Sequence, residues 1–317
     1  MALKPARLSR GDIVGIAAPA SAPPDPRAID RSIQALEHLG FRTKLPPNVR
    51  KRRGFLAGSD RDRASDLMRL FSDPKVRAIV CVRGGYGSAR LLPLLDYQLI
   101  RANPKILVGY SDITSLHSAL WVKAGLGYFH GPMLNSDFIK ERMPEFTLNS
   151  FLRILTEPQA AGSISQGYNK KTVRVLRAGS AAGQLVGGNI SILCASLGTP
   201  YQPSFKKKIL FFEDLDELPF RFDRMLTQLL NAGLLQQVAG VAIGINKNCK
   251  DSKARTAKEY RQTVEDVFKE RLLPLGVPVI SGLPFGHVRW NATLPIGVKA
   301  LLDGAGGDLV ITEPAVR

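Results

Sequence analysis

Cysteine is scarce in this chain: Cys81, Cys194 and Cys249 are an odd number set far apart. That spacing excludes a disulfide framework and a locally built paired-cysteine zinc site, and leaves free thiols as the expectation. Long apolar runs are missing too. The longest candidates, such as 209–212, have the length of a strand and fall far short of the roughly 20 residues that cross a bilayer, so no membrane partner is expected. Near the N-terminus the apolar stretch 13–20 is broken by Gly15 and Pro19 and is too short for a signal-peptide core, which points to the cytoplasm. No H-E-x-x-H, paired-cysteine or carboxylate-loop spacing marks a zinc or calcium site, and no metal is expected. Acidic residues are in deficit, 27 Asp and Glu against 44 Lys and Arg, for a net charge of +17.

What is present is the composition of an ordinary globular protein, 44% hydrophobic and 22% charged over 317 residues. At roughly 150 residues per domain that length suggests about two domains. The positive charge raises nucleic acid as a partner, but its distribution argues against one. The clusters at 50–53, 170–171, 206–208 and 247–258 are scattered, without an aromatic-interleaved RNA motif or a zinc finger. A solvated basic surface, or one that draws in small anions, is the expectation, with no nucleic acid bound.

Through the first half, apolar runs alternate with amphipathic helical patterns, the signature of a parallel α/β sheet with crossover helices. A strand is expected over 13–18 and a helix over 26–39, where Ile29, Ile33, Leu36 and Leu39 recur at helical spacing before Gly40. The pattern repeats with a helix over 61–72 and a strand over 78–82, then the loop Arg83-Gly84-Gly85-Tyr86-Gly87 with a helix following from Ser88. A strand over 105–109 leads through Tyr110-Ser111 into a helix over 112–123. This gives an N-terminal domain over 1–160, a Pro-, Gly-, Ser- and Lys-rich linker over 161–182, and a second domain over 183–317. In the second, Gly187-Gly188-Asn189 reads as a turn before a small-residue helix, with strands over 208–212 and 238–245, a helix over 220–232, and a strand-and-loop tail over 277–311.

Ligands of an open α/β sheet collect at the carboxyl ends of its strands. Ser111 sits at such an end, where a hydroxyl is exposed and the free N–H groups of the following helix can stabilise an oxyanion. Serine is a preferred N-cap, and on local sequence alone a cap is the commoner role at such a position. The loop at 83–87 offers bare backbone N–H groups that suit an oxyanion or a phosphate, or forms only a tight turn. A serine nucleophile needs a base. His38 lies at the far end of a helix, and His117 is six residues beyond Ser111, about 9 Å along the axis and roughly 240° around it. His130 and His287 are left, and the sequence pattern does not choose between them. Glu213, directly after a buried strand, is a candidate to orient the imidazole, with Asp214, Asp216 and Glu217 close by; helix capping accounts for the same acidic group equally well.

The segments Val82-Arg83-Gly84-Gly85-Tyr86-Gly87, Gly109-Tyr110-Ser111-Asp112, His130-Gly131-Pro132-Met133, Gly187-Gly188-Asn189, Phe212-Glu213-Asp214 and Gly286-His287 occur in this order, with Asn291-Ala292-Thr293-Leu294-Pro295 beyond them. Together they resemble the LD-carboxypeptidase family of serine peptidases, over nearly the whole chain. The resemblance implies an N-terminal parallel-sheet, flavodoxin- or Rossmann-like α/β domain, a C-terminal β-rich α/β domain, and an active site between them. It implies Ser111 as nucleophile, His287 as general base, Glu213 as the residue that orients it, and the backbone N–H groups of Gly85 and Asp112 as the oxyanion hole. Tyr86, His130 and Asn189 stand in the same motifs as candidate substrate contacts. It further implies no cofactor, a homodimer, and as substrate the murein tetrapeptide, cleaved to release its terminal D-Ala during cell-wall recycling. The alternative within the same family is a peptidase of the microcin C self-immunity type, which would cleave peptidyl- or aminoacyl-nucleotide amides with the same triad. A non-enzymatic anion- or nucleic-acid-binding protein would explain the charge but not the ordered Ser, Glu and His motifs.

Overall fold

The computed structural model describes residues 2–139, 143–250 and 262–317. Part of the basic cluster at 247–258, namely Lys253, Arg255 and Lys258, lies outside them. In the first half, β1 (Ile13–Ala17), β2 (Arg42–Lys44), β3 (Val76–Cys81), β4 (Ile106–Gly109) and β5 (Phe129–His130) form a parallel sheet in the order β2-β1-β3-β4-β5. Crossovers run through α1 (Ala28–His38), α2 (Asp60–Ser72), α3 (Tyr97–Ala102) and α4 (Thr114–Ala124), and α5 (Glu145–Thr156) follows the sheet. The inner strands β1, β3 and β4 are short, mostly buried apolar runs, as a sheet covered on both faces requires, and the edge strand β2 is polar. Helix starts are set locally: Ser59 and Asp62 exchange backbone hydrogen bonds in a capping box at the head of α2.

The second half builds an eight-stranded mixed sheet from β6 (Ala160–Ser163), β7 (Arg174–Arg177), β8 (Ser180–Asn189), β9 (Lys208–Glu213), β10 (Gly240–Gly244), β11 (Val279–Leu283), β13 (Lys299–Asp303) and β14 (Asp308–Pro314). β8 to β11 are parallel neighbours and the outer strands run antiparallel. Helices α6 (Ile190–Ala195), α7 (Pro219–Asn231) and α8 (Val264–Leu272) close a second apolar core, in which Phe268 meets Phe212 and Phe222 edge-on at ring separations of 5.7 and 5.4 Å. The remaining strand, β12 (Leu294–Pro295), crosses back to the first sheet and pairs antiparallel with β5, Leu294 opposite His130. Among the described residues no helix is long and apolar enough to cross a membrane.

The structure corrects two of the expectations. The segment 161–182 is not a bare linker: it carries the end of β6, all of β7 and the start of β8, because its sparse apolar residues suffice for edge strands. Gly187-Gly188-Asn189 is no turn but the end of β8, in register with Phe211, Phe212 and Glu213 of β9. The helix expected from Ser88 is a 3-10 helix over Ser88–Leu94 with Pro93 inside it, and α3 follows.

Candidate active site

Ser111 lies where β4 turns into α4, and its backbone holds φ at +63°, a region sparsely populated by residues with a Cβ. Its side chain caps neither the short 3-10 turn Ser111–Ile113 nor α4, so the capping alternative does not account for it. The glycine loop after β3 packs directly on it. A Cβ at Gly84 would stand 3.0 Å from the Ser111 Cβ, 3.2 Å from its Oγ and 3.2 Å from the Asp112 nitrogen, so only glycine lets the loop come this close. Asp112 locks the two pieces together: its buried carboxylate accepts the N–H groups of Gly87 at 3.3 Å and Ser88 at 2.8 Å, and its carbonyl accepts the Ser88 hydroxyl at 2.6 Å. The side chain of Asp112 is thereby consumed, while its N–H, in the first turn of a helix, needs no intrahelical partner.

From the other sheet, Glu213 ends β9 with no exposed surface, and its Oε2 lies 2.7 Å from His287 Nδ1. A carboxylate only accepts, so Nδ1 carries the proton and Nε2 is left as a bare acceptor. Gly286, at φ +117°, makes the approach possible, since a Cβ there would meet Glu213 Oε2 at 2.9 Å. Burial alone would push the His287 imidazole down; the hydrogen bond and charge of Glu213, with the charges of Asp214 and Asp137 behind them, outweigh it and hold the imidazole above the ordinary histidine value. Tyr110 steadies the ring edge-on at 4.9 Å.

Ser111, Gly85 and His287 line one cavity of about 660 Å³, whose walls also carry Arg83, Asp137 and Lys247. The structure thus brings together the serine, the glycine loop and the His287–Glu213 pair from opposite sheets. The other site residues lie elsewhere. His130 is fully buried away from the cavity wall, between Tyr110 at 5.8 Å and Phe211 at 5.3 Å, and burial, with the charges of His117 and His287, holds it well below the ordinary value. Asn189 stands behind Glu213 rather than on the wall: its amide donates to Asp214 at 2.8 Å and Glu213 at 3.5 Å, and its oxygen caps α6. Tyr86 is half exposed and leans on Phe55 at 5.7 Å, outside the cavity lining. His117 stacks on Tyr128, and burial drives its pKa down to about 3.

The sequence reading gave Asp214 no role of its own in the site. It is buried and accepts from Asn189, from the N–H and hydroxyl of Ser191, and from the Leu215 N–H, so it shares the Asn189 amide with Glu213 and leaves the start of α7 to Glu217, which pairs with Arg221 at 3.2 Å. Its adjacency to Glu213 was the available signal, hidden by the equally good reading as helix-dipole charge. Among the described residues, no three His, Cys, Asp or Glu side chains cluster as metal ligands.

Comparison with known proteins agrees across the whole chain. Residues 14–131 match the family pattern described as the LD-carboxypeptidase N-terminal domain, and residues 182–302 match that of the LD-carboxypeptidase C-terminal domain. The chain is 39% identical over 308 residues, 97% of its length and 94% of the other's, to a protein of Bacillus subtilis named "Probable murein peptide carboxypeptidase". It is 29% identical, over 97% of its length and 95% of the other's, to the microcin C7 self-immunity protein MccF of Escherichia coli. The solved structure of muramoyltetrapeptide carboxypeptidase from Oxalobacter formigenes superposes with a TM-score of 0.82 at 31% identity, covering 95% of this chain and 99% of that one.

Proposed function

This chain belongs to the LD-carboxypeptidase family of serine hydrolases, and from that premise we propose that it removes the terminal D-Ala from murein tetrapeptide through Ser111, His287 and Glu213. The observation that carries the reading is the 2.7 Å Glu213–His287 pair opening on the same cavity as a serine held at positive φ. His287 Nε2 takes the Ser111 proton, and the alkoxide attacks the amide carbonyl. The N–H groups of Gly85 and Asp112 stabilise the resulting oxyanion. His287 then gives its proton to the leaving D-Ala nitrogen, and water, deprotonated by the same imidazole, releases the acyl group from Ser111. Glu213 keeps the tautomer and stabilises the imidazolium without itself taking the proton.

Mass spectrometry of L-Ala-γ-D-Glu-meso-diaminopimelate-D-Ala incubated with the protein tests this. The wild type should release D-Ala, and Ser111→Ala should be slower by roughly 10⁵-fold or more. Release that is equal in the variant would remove Ser111 from the mechanism. The aminoacyl-nucleotide reading has less support here: Tyr168, the aromatic of the segment 160–182, is spent on Phe146 at a ring separation of 5.4 Å and on the Thr172 hydroxyl at 3.0 Å.

A further inference from the structure

We infer that Arg83 is the anchor for the free carboxylate of the leaving residue, an assignment that rests on the carboxypeptidase reading of the same cavity. Bond geometry limits where that carboxylate can lie. In a planar trans amide the scissile oxygen and the Cα of the leaving residue stand on the same side of the C–N bond, so the terminal carboxylate sits only about 3–5 Å from the scissile oxygen. Whatever holds it must therefore border the oxyanion-stabilising groups. Arg83 does so. It opens the loop that presents the Gly85 N–H, it lines the cavity with Ser111, and one terminal nitrogen of its guanidinium lies 3.5 Å from where a Gly85 Cβ would stand.

The guanidinium is also underused. It has five donors in a planar fork. The bond it shows is a marginal 3.5 Å contact from one terminal nitrogen to the Ala22 carbonyl, and it has no carboxylate partner among the described residues. Elsewhere on the same half of the molecule arginines are paired, as in Arg90 with Asp60 at 2.8 Å and Arg31 with Asp25 at 2.9 Å. A half-buried, unpaired fork beside the oxyanion groups suits a bidentate carboxylate. Lys247, an exposed cation on the same cavity wall, is a point charge without the planar fork that grips a carboxylate through two parallel bonds.

The test separates anchoring from turnover. In the Ser111→Ala background, calorimetry compares the tetrapeptide with its C-terminal carboxamide, with and without Arg83→Ala, Arg83→Lys and Lys247→Ala. The acid should bind tighter than the amide by about 30-fold or more, the range expected when one partner of a charge-assisted pair is removed. Arg83→Ala should collapse that ratio to near one, Arg83→Lys should restore part of it, and Lys247→Ala should leave it within about twofold. A ratio that survives Arg83→Ala in a folded protein, a ratio lost with Lys247→Ala instead, or the absence of saturable binding of the acid overturns the assignment. D-Ala release by the Ser111-bearing protein is scored separately: release with an Arg83-independent ratio leaves the reaction standing and the anchor fallen, and an Arg83-dependent ratio without release does the reverse.

Discussion

His287 and His130 flank the same tyrosine ring, at 4.9 and 5.8 Å from Tyr110, both largely withdrawn from water, yet they titrate in opposite directions. The difference is carboxylate charge, that of Glu213 above all. Around His130 stand Tyr110, Phe211 and Phe285, and both ring nitrogens lack a partner among the described residues, so burial acts unopposed. Around His287 the same burial is overridden by Glu213 at hydrogen-bond distance, backed by Asp214 and Asp137. Burial makes a histidine inert; burial with a buried counter-charge makes it a base fixed in one tautomer.

Removing that charge should make the two histidines alike and gives the largest effect. Glu213→Gln keeps the size and most of the hydrogen bonding but leaves the imidazolium unstabilised, so kcat should fall by roughly 10⁴-fold. The residual activity should show its acid limb at lower pH than the wild type, because burial then dominates as it does at His130. A pH–rate profile with an unmoved limb would show that Glu213 does not set the His287 titration. Next in size is Asn189→Ala, which frees Glu213 and Asp214 from a shared donor and should lower kcat by about 10- to 100-fold through misplacement of the imidazole. It should also cost about 1 kcal/mol of stability as a lost α6 cap. A lower Tm with unchanged kcat would reduce Asn189 to that cap.

The comparison was only half legible in the sequence. Apolar runs and helical spacing disclosed the first sheet and the strand-to-helix exit at Ser111, since both follow from local patterning. The choice between His130 and His287 did not, because what distinguishes them comes from β9 and the loop around Gly286, about 80 and 160 residues from His130 along the chain. The resemblance to known carboxypeptidases named His287; the 2.7 Å contact supplies the physical reason. Asn189 was read as a turn residue touching substrate because the strand pairing that carries it behind Glu213 is likewise non-local.

The two environments should also separate on the pH axis. His287 must be neutral to act as base, and its pKa is raised, so kcat/KM should rise with pH through a midpoint above the ordinary value of about 6.5. His130 and His117 have lowered pKa values, so the unfolded chain binds their protons first as pH falls. Their contribution to stability is therefore complete above about 6.5 and is lost below it, for His117 over the window down to about 3. Activity should fail on acidification before Tm does. His130→Leu should flatten the acid dependence of Tm and change kcat/KM by only a few-fold; loss of turnover on that substitution would place His130 in the chemistry after all.

The smallest expected effect comes from the charge of the whole molecule. On the proposed function a net +17 draws in an anionic stem peptide, and the same charge disfavours protonation of any histidine. Both influences act through solvent and weaken as salt shortens the Debye length from about 10 Å at 0.1 M to about 3 Å at 1 M. The Glu213–His287 contact is buried and close, so it is screened far less. Raising ionic strength over that range should thus lower kcat/KM a few-fold, leave kcat unchanged, and leave the acid midpoint almost where it was. A midpoint that climbed with salt as strongly as kcat/KM fell would mean that the diffuse field, rather than the carboxylate charge that His130 lacks, governs the base.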